Sequence, residues 1–276
     1  MITGSLDAAQ ELAVFLRARR ENLSPQDAGL PPRRRNRRTP GLRREEVAEL
    51  AGISTDYVVR LEQARGLRPS LEVIEALSRA LHLAPDERAY LVGLSGRRPR
   101  ESDGPTTTAA PALAQLVEDL SPRPAMLLNY RYDILAWNAA MAGLMLDFDT
   151  LPPSRRNAVW LCLMHPRLRE SYLDREAVVR DGVAHLRVAW AMHPDDPALN
   201  ALIAECLRRE DVARWWSEPD VALSGRGHKV VRHPDLGLIA TDFEVLAPLA
   251  DPDQVVVVHR AADDGSRMAL DRLGAG

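Results

Sequence analysis

The stretch Leu42–Gln63, LRREEVAELAGISTDYVVRLEQ, decides how the front of this chain folds. Val47, Ala48 and Ala51 recur at helical spacing in its first half. Val58, Leu61 and Glu62 do so in its second half, which puts Val58 and Leu61 on one inward face. Between them stands Gly52, the residue type that takes a left-handed backbone conformation without a Cβ penalty. Ser54 is placed to cap the second helix, and Asp56 falls in its first turn, where negative charge suits the helix dipole. Ala48 is small where the two helices would cross, and Ile53 is an apolar plug after the corner. The reading is two short helices joined by a tight turn.

A small residue, a glycine four positions on and an apolar residue six beyond it is the spacing of a helix-turn-helix. An ordinary helical hairpin also often carries glycine at its turn, so the neighbouring chain bears on the choice. Upstream, Ala8 to Asn22 reads as an amphipathic helix with Leu12, Phe15 and Leu16 on one side. Pro25, Gly29, Pro31 and Pro32 break it. Five arginines within six residues follow, Arg33, Arg34, Arg35, Arg37 and Arg38. Such a run is often only a solvated loop, but beside this motif it suits a phosphate or minor-groove arm. Downstream, Ser70 caps a helix carrying Val73, Ile74, Leu77 and Leu81, and Pro85 opens another carrying Tyr90, Leu91 and Leu94. Residues 1–96 are thus expected to form an all-α, five-helix helix-turn-helix domain.

The chain has 276 residues, which favours two domains. Its net charge of −3 hides an asymmetry: residues 1–98 carry 17 arginines against 13 carboxylates, and the remainder carries the acidic excess. Lys229 is the only lysine. There is no run of eighteen apolar residues and no basic start followed by an apolar block, so neither membrane insertion nor a leader is expected. The expected location is cytoplasmic. Cys162 and Cys206 lie far apart outside any CxxC and read as small core residues.

Residues 97–111, polar and rich in Pro, Gly and Thr, read as a linker. From 112 to 276 a helix over 112–120 leads into two strands, Ala125 to Tyr130 and Ile134 to Trp137. Helical stretches follow over 139–146, 152–164, 175–192, 197–208 and 210–216. Gly227 to Arg232, Leu238 to Leu246 and Val255 to Arg260 read as strands. The continuously apolar Val255 to Val258 suits a central one. Strands first, helices in the middle and strands last suggest an α+β domain: one antiparallel sheet flanked by helices.

The segments LSPQDAGLP, TPGLRREEVAELAGIS, TDYVVRLEQARGLRPS, DERAYLVGLSG, PAMLLNYRYDILAWNAA and KVVRHPDLGLIATDFEVL resemble those of MmyB-like bacterial transcription regulators. The resemblance covers nearly the whole chain. It implies a DNA-binding domain of phage-repressor (XRE) type, followed by a PAS-like domain with a fatty-acyl-type ligand in an apolar cavity. Where the family's middle stretch carries an acid before proline, this chain has His165-Pro166.

On this reading Ser54, Thr55, Asp56, Tyr57 and Arg60 face DNA. The phage-repressor resemblance matches Thr55, Asp56 and Arg60 to base-reading positions and Arg44 to the start of the first motif helix. Arg60 has the fork that suits guanine. Asp56 accepts from cytosine or merely supports the helix start. Arg43, Arg44, Arg34, Arg35, Arg37 and Arg38 would neutralise phosphates. One recognition helix reads few bases, so a homodimer on double-stranded DNA is expected.

In the back domain Trp137, Met141, Met145 and Trp190 are the expected pocket-lining residues, among many that simply fill a core. Arg187, His185 and Arg131 are candidates for an acyl carboxylate. No metal signature and no catalytic residue emerge: there is no GxSxG, P-loop or HExxH. No cofactor is expected beyond a bound fatty acid or similar apolar effector. Two alternatives stay open, a back domain that only dimerises and an enzyme that processes an acyl ligand.

Overall fold

The computed structural model describes residues 7–30, 41–65, 68–96, 105–218, 225–248 and 253–274, which divide into two compact units. The first is helical: α1 (Ala8–Asn22), α2 (Arg44–Ala51), α3 (Thr55–Glu62), α4 (Leu71–Ala80) and α5 (Pro85–Leu94). Their inward faces bury Leu12, Phe15, Leu16, Val47, Val58, Leu61, Ile74, Leu77 and Leu91. The α2–α3 corner forms as its sequence requires. Gly52 sits at φ +65°, and Ile53 returns its N–H to the Ala48 carbonyl at 3.0 Å. Ser54 Oγ accepts the Tyr57 N–H at 3.1 Å, and the Glu46 carboxylate accepts the Arg43 N–H at 2.8 Å. These bonds satisfy donors that a helix start otherwise leaves bare.

The polar centre of this unit is Glu62, whose side chain is 1% exposed. Arg20 Nε donates to its Oε1 at 2.6 Å, and Arg44 Nε donates to its Oε2 at 2.7 Å. Arg17 donates to the Glu62 carbonyl at 3.0 Å, while Arg20 also donates to the Leu42 carbonyl at 3.0 Å. One buried carboxylate therefore ties α1, the chain entering α2, α2 itself and the end of α3.

The first unit also takes in residues 187–196, from far along the chain. There the Arg187 guanidinium, 2% exposed, pairs with Glu11 at 3.6 Å. The buried Tyr90 hydroxyl donates to the same Glu11 carboxylate at 3.2 Å, and Tyr90 packs edge-on against Phe15. Burial, and after it the Glu11 charge, push the Tyr90 hydroxyl well above its ordinary pKa. Gly93 permits the approach: a Cβ there would stand 2.8 Å from Met192 Sδ and 2.9 Å from the Ala191 backbone.

The second unit is built on a five-stranded antiparallel sheet in the order β2-β1-β5-β4-β3. The strands are β1 (Ala125–Asn129), β2 (Ile134–Trp137), β3 (Arg226–His233), β4 (Gly237–Leu246) and β5 (Gln254–Ala261). The apolar run of β5 is central, as its composition requires. The helices are α6 (Pro111–Asp119), α7 (Ala139–Leu144), α8 (Ala158–Met164), α9 (Pro166–Ser171), α10 (Arg175–Met192, of which residues 175–186 belong to this unit), α11 (Pro197–Cys206), α12 (Glu210–Ser217) and α13 (Asp264–Gly274). α6 lays Val117 over Ala125, Leu127, Val256 and Val258 on one face of the sheet. On the opposite face Met126, Leu128, Phe243 and Val257 pack with Met141, Phe148, Leu161 and Leu168. Asn138 caps α7 by accepting the Met141 N–H at 3.0 Å.

Three helical details depart from the sequence reading. Residues 152–164 are not one helix: a short 3-10 turn, Pro153–Arg155, precedes α8, and the Asn157 carboxamide starts α8 afresh. Pro166 opens the separate α9. The sequence reading also places its last element at Arg260, whereas α13 follows, with Asp263 accepting the Ser266 N–H at 2.7 Å and Leu270 buried. No described helix is long and apolar enough to cross a membrane.

Buried polar groups set the stability of each unit. Glu62→Gln removes the buried charge that answers Arg20 and Arg44, and breaking such a pair costs about 3–5 kcal/mol. Chemical denaturation followed by circular dichroism should show the first unit weakened by that order. In the second unit His259 Nδ1 lies 3.1 Å from Thr241 Oγ1. Desolvation, helped by the Lys229 charge, lowers its pKa from 6.5 to about 3. The unfolded chain therefore binds a proton below pH 6.5 that the folded chain refuses down to about pH 3. Stability present above pH 6.5 should fall by up to about 1.4 kcal/mol per pH unit through that window. His259→Gln should flatten this slope in denaturation monitored by tryptophan fluorescence.

Candidate nucleic-acid interface and ligand cleft

α3 buries Val58, Leu61 and Glu62, and turns its other side to solvent. Ser54, Asp56 and Arg60 are exposed, and Thr55 and Tyr57 are half-buried. All five of these residues thus remain reachable along one short helix and its cap. Arg60 stands near the end of α3 with its side chain outward, the geometry a guanidinium needs to meet a base edge. Arg43 is exposed just before α2.

Arg44 differs from its expected role. Its Nε is bound to Glu62, while 38% of the side chain stays exposed. Arg44 is therefore first a part of the buried carboxylate's shell. The sequence places Glu62 at helical spacing but gives no sign of its two guanidinium partners, which lie 18 and 42 residues away. Arg34, Arg35, Arg37 and Arg38 lie outside the described residues.

In the second unit an open cleft of about 740 Å³ lies beside the sheet edge at β2. Arg131, Trp137, Arg155, Arg156, Trp160 and Leu202 are among its walls. The Arg155 guanidinium stands 4.6 Å from the Trp160 ring, and that of Arg156 stands 5.2 Å from the Trp137 ring. Glu205 joins the first pair, accepting from Arg155 Nη1 at 2.7 Å and from Trp160 Nε1 at 3.0 Å. The Trp160 N–H, with Arg155, holds the Glu205 carboxyl below the usual range. Arg131 is paired with Asp133 at 2.9 Å. Two indoles, each with a guanidinium over its ring, thus stand among the walls of the cleft, and Asp149 pairs with Arg156 at 3.1 Å.

Of the seven residues expected at a ligand, Trp137 and Arg131 line this cleft. Met141 is fully buried in the core beneath it, and Met145 packs on the same core cluster. His185 sits on α10 with its Nδ1 at 2.7 Å from the Asp181 carbonyl and its ring edge-on to Tyr132. Arg187 and Trp190 are placed elsewhere. Both are buried in the first unit, where Glu11 answers the guanidinium. Neither lines the cleft; three residues apart on α10, they share one buried face of that helix. Arg155, Arg156 and Glu205 escape the sequence reading because they stand there as charged residues in helical or turn segments, without the tertiary fold that brings them to the indoles.

Cys162 and Cys206 are free thiols, and burial raises Cys206 to about 12. Among the described residues no group of three His, Cys, Asp or Glu is arranged to hold a metal ion.

Residues 11–91 match a helix-turn-helix domain family. Residues 109–273 match the family described as MmyB-like transcription regulator ligand binding domain. No curated protein gives a significant match. The ligand-domain match alone spans more than half of the chain, and it takes in the whole five-stranded sheet. With a solvent-facing second motif helix in the front unit and an aromatic cleft in the back unit, the chain belongs to the MmyB-like transcription regulators.

Proposed function

We propose that this DNA-binding regulator reads a specific operator through α3 as a homodimer, and that an apolar, fatty-acyl-type effector in the second unit modulates that binding. The observation that carries the first half is the open face of α3, with Thr55, Asp56 and Arg60 all accessible beside the buried Val58 and Leu61. Arg60 discriminates guanine, and Asp56 favours cytosine at the neighbouring step. Arg43 and the arginine run supply sequence-independent attraction to phosphate. The protein would act in the cytoplasm, in contact with the DNA it regulates.

The effector half rests on the cleft walled by Trp137 and Trp160 together with Arg131, Arg155 and Arg156. An acyl chain lies on the indoles, and the acid meets the guanidinium groups. Modulation requires that the effector bind two arrangements of the protein with different affinity, a coupling of about 1–3 kcal/mol in typical regulators.

Arg60→Ala is expected to weaken operator binding by about fivefold to 150-fold, the loss of about 1–3 kcal/mol of base discrimination. Non-specific DNA binding should change far less in the same mobility-shift series at fixed salt, and equal losses on both would overturn the base-reading role. Arg43→Ala should reduce the salt slope of binding by about 0.9, the change expected when one phosphate is no longer neutralised. For the effector, mass spectrometry of an organic extract of the purified protein should reveal an apolar acid. Trp160→Ala should lower its yield severalfold, and an extract empty in both proteins would leave the back domain to dimerisation alone.

A further inference from the structure

A second pocket of about 580 Å³ lies between the start of α10 and β3, within the second unit. It holds the chain's only lysine among 36 basic residues. Lys229 Nζ stands 4.9 Å from the Phe243 ring and 5.9 Å from the Tyr172 ring. No hydrogen bond or ion pair to its ammonium occurs among the described residues. Two aromatic faces steer a compact cation without using any of its N–H donors.

The opposite wall is acidic. Asp174, Ala177, Val178 and Asp181 recur at the spacing of one helix face and line the pocket from α10 and the residue before it. Asp174 is spent on the helix start, accepting the Ala177 N–H at 3.0 Å. Glu176 pairs with Arg214 at 3.9 Å, and His228 with Asp242 at 2.9 Å. Arg175 donates to the carbonyls of Cys162 and Leu163 and to Asp211. The Asp181 carboxylate has no such engagement among the described residues. After these commitments Lys229 and Asp181 line one pocket, and no ion pair joins them. Val178 and Val230 give the walls between them an apolar character.

A ligand carrying a single charge would satisfy one of these groups and leave the other to lose water for nothing. A ligand carrying both charges satisfies the two together, through charge-assisted bonds that gain strength away from bulk water. We infer that this pocket binds a small zwitterion of the α-amino-acid class, its carboxylate on Lys229, its ammonium on Asp181 and its side chain against Tyr172, Val178 and Val230. The site is separate from the aromatic cleft and gives the ligand-binding unit a second, polar input.

Three matched probes test it by isothermal titration calorimetry on the full chain: L-phenylalanine, 3-phenylpropanoate, which lacks the ammonium, and 2-phenylethylamine, which lacks the carboxylate. Phenylalanine is expected to bind at least tenfold more tightly than either analogue. Lys229→Met should reduce phenylalanine to the level of phenylethylamine, and Asp181→Asn, a change on the helix surface, should reduce it to the level of phenylpropanoate. Equal binding of phenylalanine and phenylpropanoate with Asp181→Asn silent would overturn the inference, as would no heat from any probe at millimolar concentration. Failure of the aromatic-cleft reading would show instead as an empty lipid extract and would leave these titrations unchanged.

Discussion

A single carboxylate with almost no access to water governs the DNA-binding unit. Glu62 lies at the end of α3, and its oxygens are held by Arg20 of α1 and Arg44 of α2. A buried charge tolerates little displacement, because every broken bond leaves an unpaired ion in a poor solvent. Three helices are therefore fixed in angle as well as in proximity, and the outward side of α3 acquires a defined orientation. Hydrophobic residues such as Val58 and Leu61 hold α3 down, but apolar packing alone allows sliding that directional ion pairs do not. Recognition of bases requires donors placed to within a fraction of an ångström, so this interior pair bears on the surface chemistry even though it touches no nucleic acid.

The ligand unit uses its sheet differently. One face is sealed by α6, while the other carries a mixed population: apolar residues at the centre, with Lys229, Thr241 and His259 toward the β3 side. His259 stays neutral there because burial disfavours its cation and the neighbouring ammonium repels it. The two pockets open at opposite edges of the sheet, one beside β2 and one beside β3. Their chemistry differs as well: arginine-capped indoles on one side, and a separated ammonium and carboxylate on the other.

Much of this architecture is legible in the residues themselves. The Gly52 corner, the caps at Ser54, Ser70 and Asn138, and the central apolar strand are local features, set by backbone preference and by alternation over a few residues. α13 is hard to see because its buried Ser266, Ala269 and Leu270 form a thin apolar stripe with small residues. The five residues expected to read bases are grouped legibly, because one helix and its cap carry them. The cleft is only partly readable: Trp137 and Arg131 can be found, but the stacking of Arg155 on Trp160, with Glu205 from α11 as their common acceptor, depends on tertiary proximity. Arg187 and Trp190 are buried away from that cleft, since residues of one long helix need not share their spatial neighbours.

The allegiance of residues 187–196 to the front unit carries a practical consequence for dissecting this molecule. A fragment ending at Gly96 would contain every helix of the DNA-reading motif, yet it would lack the indole of Trp190 and the partner of Glu11. Gly93 would then face a vacant groove where Ala191 and Met192 belong. Cutting at the obvious boundary thus removes the buried guanidinium that answers Glu11 as well as the linker.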